Sequence, residues 1–196
     1  YNHPSMTDAP QPAPQPARLL LSEAAVGRLL DAALVEVASQ GGRPAALRDR
    51  AAIELLYGLG LRAAEARAAR VVDLDLAAGT LYVRRVKRGA HRVLPLPKAA
   101  LPHLATYLAE GRPTFVRRAT SDAGFLIVGN TGGPVRPEGV ARRVQRVAAK
   151  AGLAAHAHAF RRAVSTHMVR RGVSVVVVAE LLGHARLDSV RAYVEV

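Results

Sequence analysis

The chain of 196 residues has no cysteine and no tryptophan, and only 4% of it is aromatic. Without cysteine there is neither a disulfide framework nor a thiolate metal site. With so few rings, leucine, valine and alanine must fill whatever core forms. No apolar run approaches the ~20 residues of a membrane-spanning helix, and the proline-rich start lacks the apolar centre of a signal peptide, so a soluble cytoplasmic protein is the expectation. Acids are scarce as well: 15 Asp and Glu stand against 28 Lys and Arg, a net charge of +13. Lysine itself is nearly missing, occurring only as Lys87, Lys98 and Lys150. An Arg- and Ala-rich composition is partly what a GC-rich coding sequence produces, but codon bias does not explain so few acids. A surplus of this sign implies a polyanionic partner, DNA or RNA by default.

What is present is ample apolar matter, 50% of the residues, enough for one large domain. Residues 1–17 are the exception: five prolines and little beyond alanine to bury predict a disordered tail or linker. Ser22 is a good N-cap, and Val26, Leu29, Leu30, Ala33 and Val37 share one helical face that ends at Gly41-Gly42. A second helix runs from about Pro44 to Gly58-Leu59-Gly60, and a short one covers 63–69. From Leu74 to Leu96 short β-prone runs broken at Ala78-Gly79 and Arg88-Gly89-Ala90 predict a small antiparallel sheet. Helices are expected again at about 98–110, 136–151, 158–171 and 174–182, with 121–137 a loop apart from the apolar run 125–128. The expected fold is α+β, a mainly α-helical domain carrying one small antiparallel sheet.

Three local patterns carry chemistry. Gly60-Leu61-Arg62-Ala63-Ala64-Glu65 closes an apolar helix, His158-Ala159-Phe160-Arg161 opens another, and Leu181-Leu182-Gly183-His184 precedes Tyr193 by nine residues. Cleaving a phosphodiester without a metal requires charge on the non-bridging oxygens, a placed nucleophile and an acid for the departing oxygen. Arginine suits the first need, because its planar fork binds phosphate bidentately. A tyrosine hydroxyl supplies a nucleophile that yields a covalent intermediate. Lysine, whose pKa its surroundings tune, suits the last, and Lys87 falls in the predicted hairpin turn Lys87-Arg88-Gly89-Ala90-His91-Arg92. His156-x-His158 lacks the partners of a metal site, since there is no cysteine and no suitably spaced carboxylate.

In residue types, order and spacing, the series Arg62, Lys87, His158, Arg161, His184, Tyr193 resembles the tyrosine recombinase (phage integrase, Xer-like) family. The likeness covers about 18–196 and implies the catalytic domain of that family, with no N-terminal core-binding domain in this chain. It implies site-specific DNA recombination through a 3′-phosphotyrosine on Tyr193. Arg62 and Arg161 would clamp the phosphate, His158 would move a proton, His184 would hydrogen-bond the phosphate, and Lys87 would protonate the leaving 5′-oxygen. Glu65 matches the acidic residue that supports the first arginine. Arg88 and Arg92 on the hairpin, and Arg142, Arg143, Arg146 and Lys150 along the 136–151 helix, are the expected DNA contacts; the helix carries no compensating acid after Glu138. No cofactor and no metal is expected. The implied partners are double-stranded DNA and further recombinase protomers, a tetramer on DNA for the full-length protein, with a nucleoid-associated location. A type IB topoisomerase-like relaxing enzyme and a non-catalytic DNA-binding protein on the same fold are the rival readings.

Overall fold

A computed structural model describes residues 21–38, 43–84 and 91–183. The proline-rich stretch 1–17 lies outside them. Ser22 opens α1 (Glu23–Ala38), its Oγ accepting the Ala25 N–H at 3.1 Å, which satisfies one of the donors a helix start leaves unpaired. Val26, Leu29 and Ala33 are buried, and that face packs on α2 (Arg43–Ile53).

The second helix does not end as a plain α-helix. It widens into a π-helical turn over Glu54–Gly58, in which buried Leu55 and Leu56 face the core. A π turn fits one more residue into the rung than an α turn, and it sets Tyr57 against α7 (Ala157–Arg170), its hydroxyl 3.0 Å from His167 Nδ1. The chain then reverses at Gly60, whose φ is 61°. A Cβ there would collide with Leu182 and stand 2.9 Å from Val164 Cγ1, so both the dihedral and the space demand glycine. α3 (Ala63–Ala68) follows at once.

Strands β1 (Leu74–Asp75), β2 (Thr80–Val83) and β3 (Arg92–Pro95) form the predicted antiparallel sheet, in the order β1-β2-β3. Leu81 pairs with Leu94, Tyr82 with Val93 and Val83 with Arg92. Leu81, Val83 and Leu94 point into the core while Tyr82 and Val93 stay exposed. The period of two therefore puts Arg92, two residues before Leu94, on the inward face.

The single helix expected over 98–110 is a composite. A 3₁₀ turn (Lys98–Ala100) leads into α4 (Leu101–Thr106), a π turn (Tyr107–Gly111) and α5 (Arg112–Val116). Pro113 has no N–H for the ladder and its ring crowds the preceding turn, and the π turn directly before α5 takes up the mismatch. The apolar run 125–128 makes single bridges, Arg70 to Phe125 and Val128 to Pro134. α6 (Gly139–Lys150) buries Val140, Val144, Val147 and Ala148, and α8 (Val175–Leu182) ends on Gly183 with φ 64°. The core joins α1, α2, α6 and α7 to the inward face of the sheet through Leu29, Ile53, Leu81, Leu94, Val144 and Phe160.

Several charged side chains are buried, Arg48 and Asp49 most deeply among the described residues. Arg48 on α2 donates to Val128 O at 3.1 Å and Asn130 Oδ1 at 2.9 Å, with its guanidinium 4.0 Å from the Phe115 ring centre. Burial pulls its pKa down to about 10.

Candidate active site

The site begins at the cap of α3. Arg62 is the N-cap residue, with extended backbone (φ −69°, ψ 150°). Its N–H donates to Glu65 Oε2 at 2.9 Å, and its Nη1 donates to Glu65 Oε1 at 3.2 Å. A glutamate three residues into a helix reaches back to the cap N–H in just this way. Glu65 is thereby fixed in the first turn with its carboxylate buried and only 3% of the side chain exposed, whereas the Arg62 side chain is 43% exposed.

A second guanidinium arrives from α7. Arg161 is buried, donates through Nη1 to Gly60 O at 2.7 Å and through Nη2 to Leu182 O, and lies 3.9 Å from Glu65 Oε2. The close approach of Gly60 to Leu182 and Val164 makes this possible, because it brings the carbonyl beneath α7. A third guanidinium comes from the sheet: Arg92 meets Glu65 with two bonds, Nη1 to Oε1 at 3.1 Å and Nη2 to Oε2 at 3.2 Å, and its Nε donates to Leu181 O at 2.7 Å. Gly183 closes the far side. Its carbonyl is 3.4 Å from Arg62 Nη2, and a Cβ on it would stand 3.0 Å from Arg92 Nη1.

Glu65 therefore stands within reach of Arg62, Arg92 and Arg161. Burial alone would raise its pKa, but the hydrogen bonds from Arg92 and from the Arg62 backbone hold it below the usual carboxylate value. Three guanidinium charges against one carboxylate leave a positive surplus, the condition for receiving an anion. His158 sits in the first turn of α7, exposed, one turn before Arg161.

Of the residues singled out by sequence, Arg62, Glu65, Arg92 and Arg161 converge. Lys87, Arg88, His184 and Tyr193 lie outside the described residues. Among the described residues no group of three His, Asp or Glu side chains is arranged to hold a metal. No described helix is long and apolar enough to cross a membrane.

Two of the expected DNA contacts, Arg92 and Arg143, are placed inward. Arg92, expected among the DNA contacts, is 11% exposed with its nitrogens on Glu65 and Leu181, much as Arg161 is 4% exposed with Nη1 and Nη2 on Gly60 O and Leu182 O. Its inward position was legible in the alternation of Arg92, Val93 and Leu94, which the presence of a charge on a hairpin overrode. The α6 arginines are not uncompensated either: Asp49 on α2, itself buried, is 3.3 Å from Arg143 and also pairs with Arg146. Arg143 is 13% exposed and belongs to the fold, while Arg146 at 52% and Arg142 at 75% face outward, as does Lys150. Asp49 lies on another element, 97 residues from Arg146 in the sequence, where local charge patterning does not reveal it.

Known proteins supply an independent view of this arrangement. The tyrosine recombinase XerC of Oceanobacillus iheyensis is 35% identical over 155 residues, covering 78% of this chain and 50% of that protein. Tyrosine recombinase XerC 2 of Ralstonia nicotianae is 36% identical over 198 residues, covering all of this chain and 54% of that one. The chain thus spans about half the length of these curated relatives. The crystal structure of XerA recombinase shares the fold, with a TM-score of 0.74 at 23% identity over 89% of this chain and 59% of that one. The XerH site-specific recombinase bound to difH substrate matches with a TM-score of 0.73 at 21% identity, over 89% and 49%. The model of the phage integrase family fits residues 20–196, a span that takes in the cap of α3, the β3 arginine and the first turn of α7, and the chain belongs to that family.

Proposed function

We propose that this chain is the catalytic part of a tyrosine-type site-specific recombinase acting on double-stranded DNA. The observation that carries the reading is the convergence of Arg62 and Arg161, from separate helices, on the single buried carboxylate of Glu65. Rigidly oriented guanidinium groups with a net positive surplus stabilise the charge that builds on a phosphate under attack.

In this mechanism Tyr193 Oη attacks the scissile phosphorus while His158 takes its proton. Arg62 and Arg161 neutralise the non-bridging oxygens, assisted by a hydrogen bond from His184. The P–O5′ bond breaks, Lys87 gives its proton to the leaving 5′-oxygen, and a 3′-phosphotyrosine remains. Attack by the 5′-hydroxyl of another strand reverses the steps and rejoins the DNA. Arg88, Arg142, Arg146 and Lys150 hold the flanking backbone. Exchange requires more than one protomer, which we take to be a tetramer on DNA in the full-length protein, working at the nucleoid. A lambda integrase tetramer bound to a Holliday junction, with a TM-score of 0.60, is a structural neighbour.

A nicked suicide substrate incubated with the full-length protein tests the reading. A covalent protein–DNA adduct is expected, and Tyr193→Phe should abolish it, because phenylalanine keeps the ring but lacks the nucleophile. An undiminished adduct with Tyr193→Phe would sink the assignment. Relaxation of supercoiled DNA without a specific site would favour a topoisomerase instead, and binding without any adduct a non-catalytic protein.

A further inference from the structure

Arg92 comes from the sheet, yet its side chain ends at the carboxylate that also holds Arg62 and Arg161. All three of its nitrogen positions are used at once: Nη1 and Nη2 on the two Glu65 oxygens at 3.1 and 3.2 Å, and Nε on Leu181 O at 2.7 Å. The strand register explains how it arrives there, since Arg92 pairs with Val83 and shares the inward face with Leu94. Gly183 leaves room for it, standing where a side chain would press on the guanidinium. The two-pronged bond adds to the two that Arg62 makes, N–H to Oε2 and Nη1 to Oε1, so each Glu65 oxygen accepts from two donors and the carboxylate is held in both position and rotation. It also offsets the carboxylate charge, so that Arg62 and Arg161 keep theirs for an incoming anion. The bond to Leu181 ties β3 to the end of α8, three residues before His184 in the sequence.

We propose that Arg92 is a positioning residue for strand cleavage. It acts through Glu65 to orient Arg62 and Arg161, and it does not touch DNA. The proposal rests on the recombinase reading above. It differs from a phosphate-contact role, which would change DNA affinity, and from a merely structural role, which would change stability alone.

The test uses the full-length protein, the nicked suicide substrate and single-turnover adduct formation, beside DNA titrations at two salt concentrations. Arg92→Gln should slow cleavage about 100-fold, the penalty of a misplaced reacting group, while DNA affinity stays within about 2-fold and its salt slope is unchanged. Arg92→Lys should recover part of the rate, because an ammonium restores the charge but cannot span both carboxylate oxygens and Leu181 O. The double variant Arg92→Gln, Glu65→Gln should be about as slow as the slower single variant, since both act through one contact. Losses that multiply in the double variant would overturn the proposal. So would a salt slope reduced by about 1 with weaker binding, the mark of a phosphate contact. Should Arg92→Gln fail to fold, Arg92→Lys decides: a wild-type rate overturns the proposal, and a loss of about 10-fold at unchanged affinity upholds it. A wild-type protein that forms no adduct at all fells the recombinase reading and this proposal with it, whereas a normal wild type with unaffected variants fells only this one.

Discussion

Asp49 is a single buried carboxylate beside Arg48, Arg143 and Arg146. Replacing it by Asn leaves those cations without a counter-charge, and Arg48 and Arg143 are too enclosed for water to take its place. Asp49→Asn should therefore cost about 3 kcal/mol of stability, the lower end for breaking a buried pair because Arg146 is half in water; a thermal melt or urea titration measures it. His167 gives a pH dependence of definite sign. Burial pushes its imidazole below the ordinary value of 6.5, against the opposing influence of Glu23 and with Arg170 and Arg171 nearby, while Tyr57 shares its Nδ1. The unfolded chain then binds the proton more readily than the folded one, so stability falls as pH drops below 6.5 until the folded imidazole also titrates. His167→Gln should flatten the decline in melting temperature between about pH 7 and 5. It will not remove the decline entirely, because burial shifts His103 in the same direction. Lys87, if it is the acid, has its own signature: Lys87→Ala should cleave poorly yet be rescued when sulfur replaces the leaving 5′-oxygen, and Arg62→Ala should not be rescued, since its defect is charge on the phosphate. At this scale sequence is an uneven guide. Arg62, Glu65 and Arg161 could be singled out because they match the family's motifs at fixed local spacings. The uses of Asp49 and Arg92 could not be, because each is decided by a partner more than 25 residues away, Arg92 meeting Glu65 at a separation of 27 and Asp49 meeting Arg146 at 97.

Helix starts and stops read well where a side chain performs a local task. Ser22 bonds the Ala25 N–H, and Gly183 adopts the left-handed C-cap geometry while its N–H bonds back into α8. The three-stranded sheet was equally plain from its turns. What sequence could not show were the two π turns, Glu54–Gly58 and Tyr107–Gly111. They shift hydrogen bonding by one residue without changing the apolar spacing that signals a helix, and the second hides the break between α4 and α5. Gly60 offers the sharpest test of an element boundary. Gly60→Ala should destabilise the domain by about 2–4 kcal/mol, combining left-handed strain with overpacking against Leu182 and Val164, and chemical denaturation should show it. The two sides of α6 should also separate. Arg142→Ala is expected to lower the salt slope of DNA binding by about 1 while barely changing stability, and Arg143→Ala to do the reverse.

Across the whole molecule a net charge of +13 is what a polyanion would neutralise, so DNA affinity should fall at least about tenfold between 50 and 200 mM salt. Chelation should leave cleavage intact, since guanidinium groups supply the charge a metal would otherwise bring; activity lost in EDTA and restored by a divalent ion would contradict the mechanism. The fold class was readable at this scale from the succession of periods, helical then alternating then helical. The way α3, β3 and α7 meet was not, because only packing brings them together. Under the proposed recombinase function, that meeting at Glu65 bears on the safety of the genome. An enzyme able to break DNA is hazardous if a half-folded or damaged copy can still nick. Here the carboxylate gathers guanidinium groups from three elements that no short stretch of chain contains. A nascent chain, a proteolytic remnant or a locally opened molecule would lose at least one of them, and with it the alignment of the rest. Such damaged copies would be harmless bystanders, and only an intact domain would carry the means to cut.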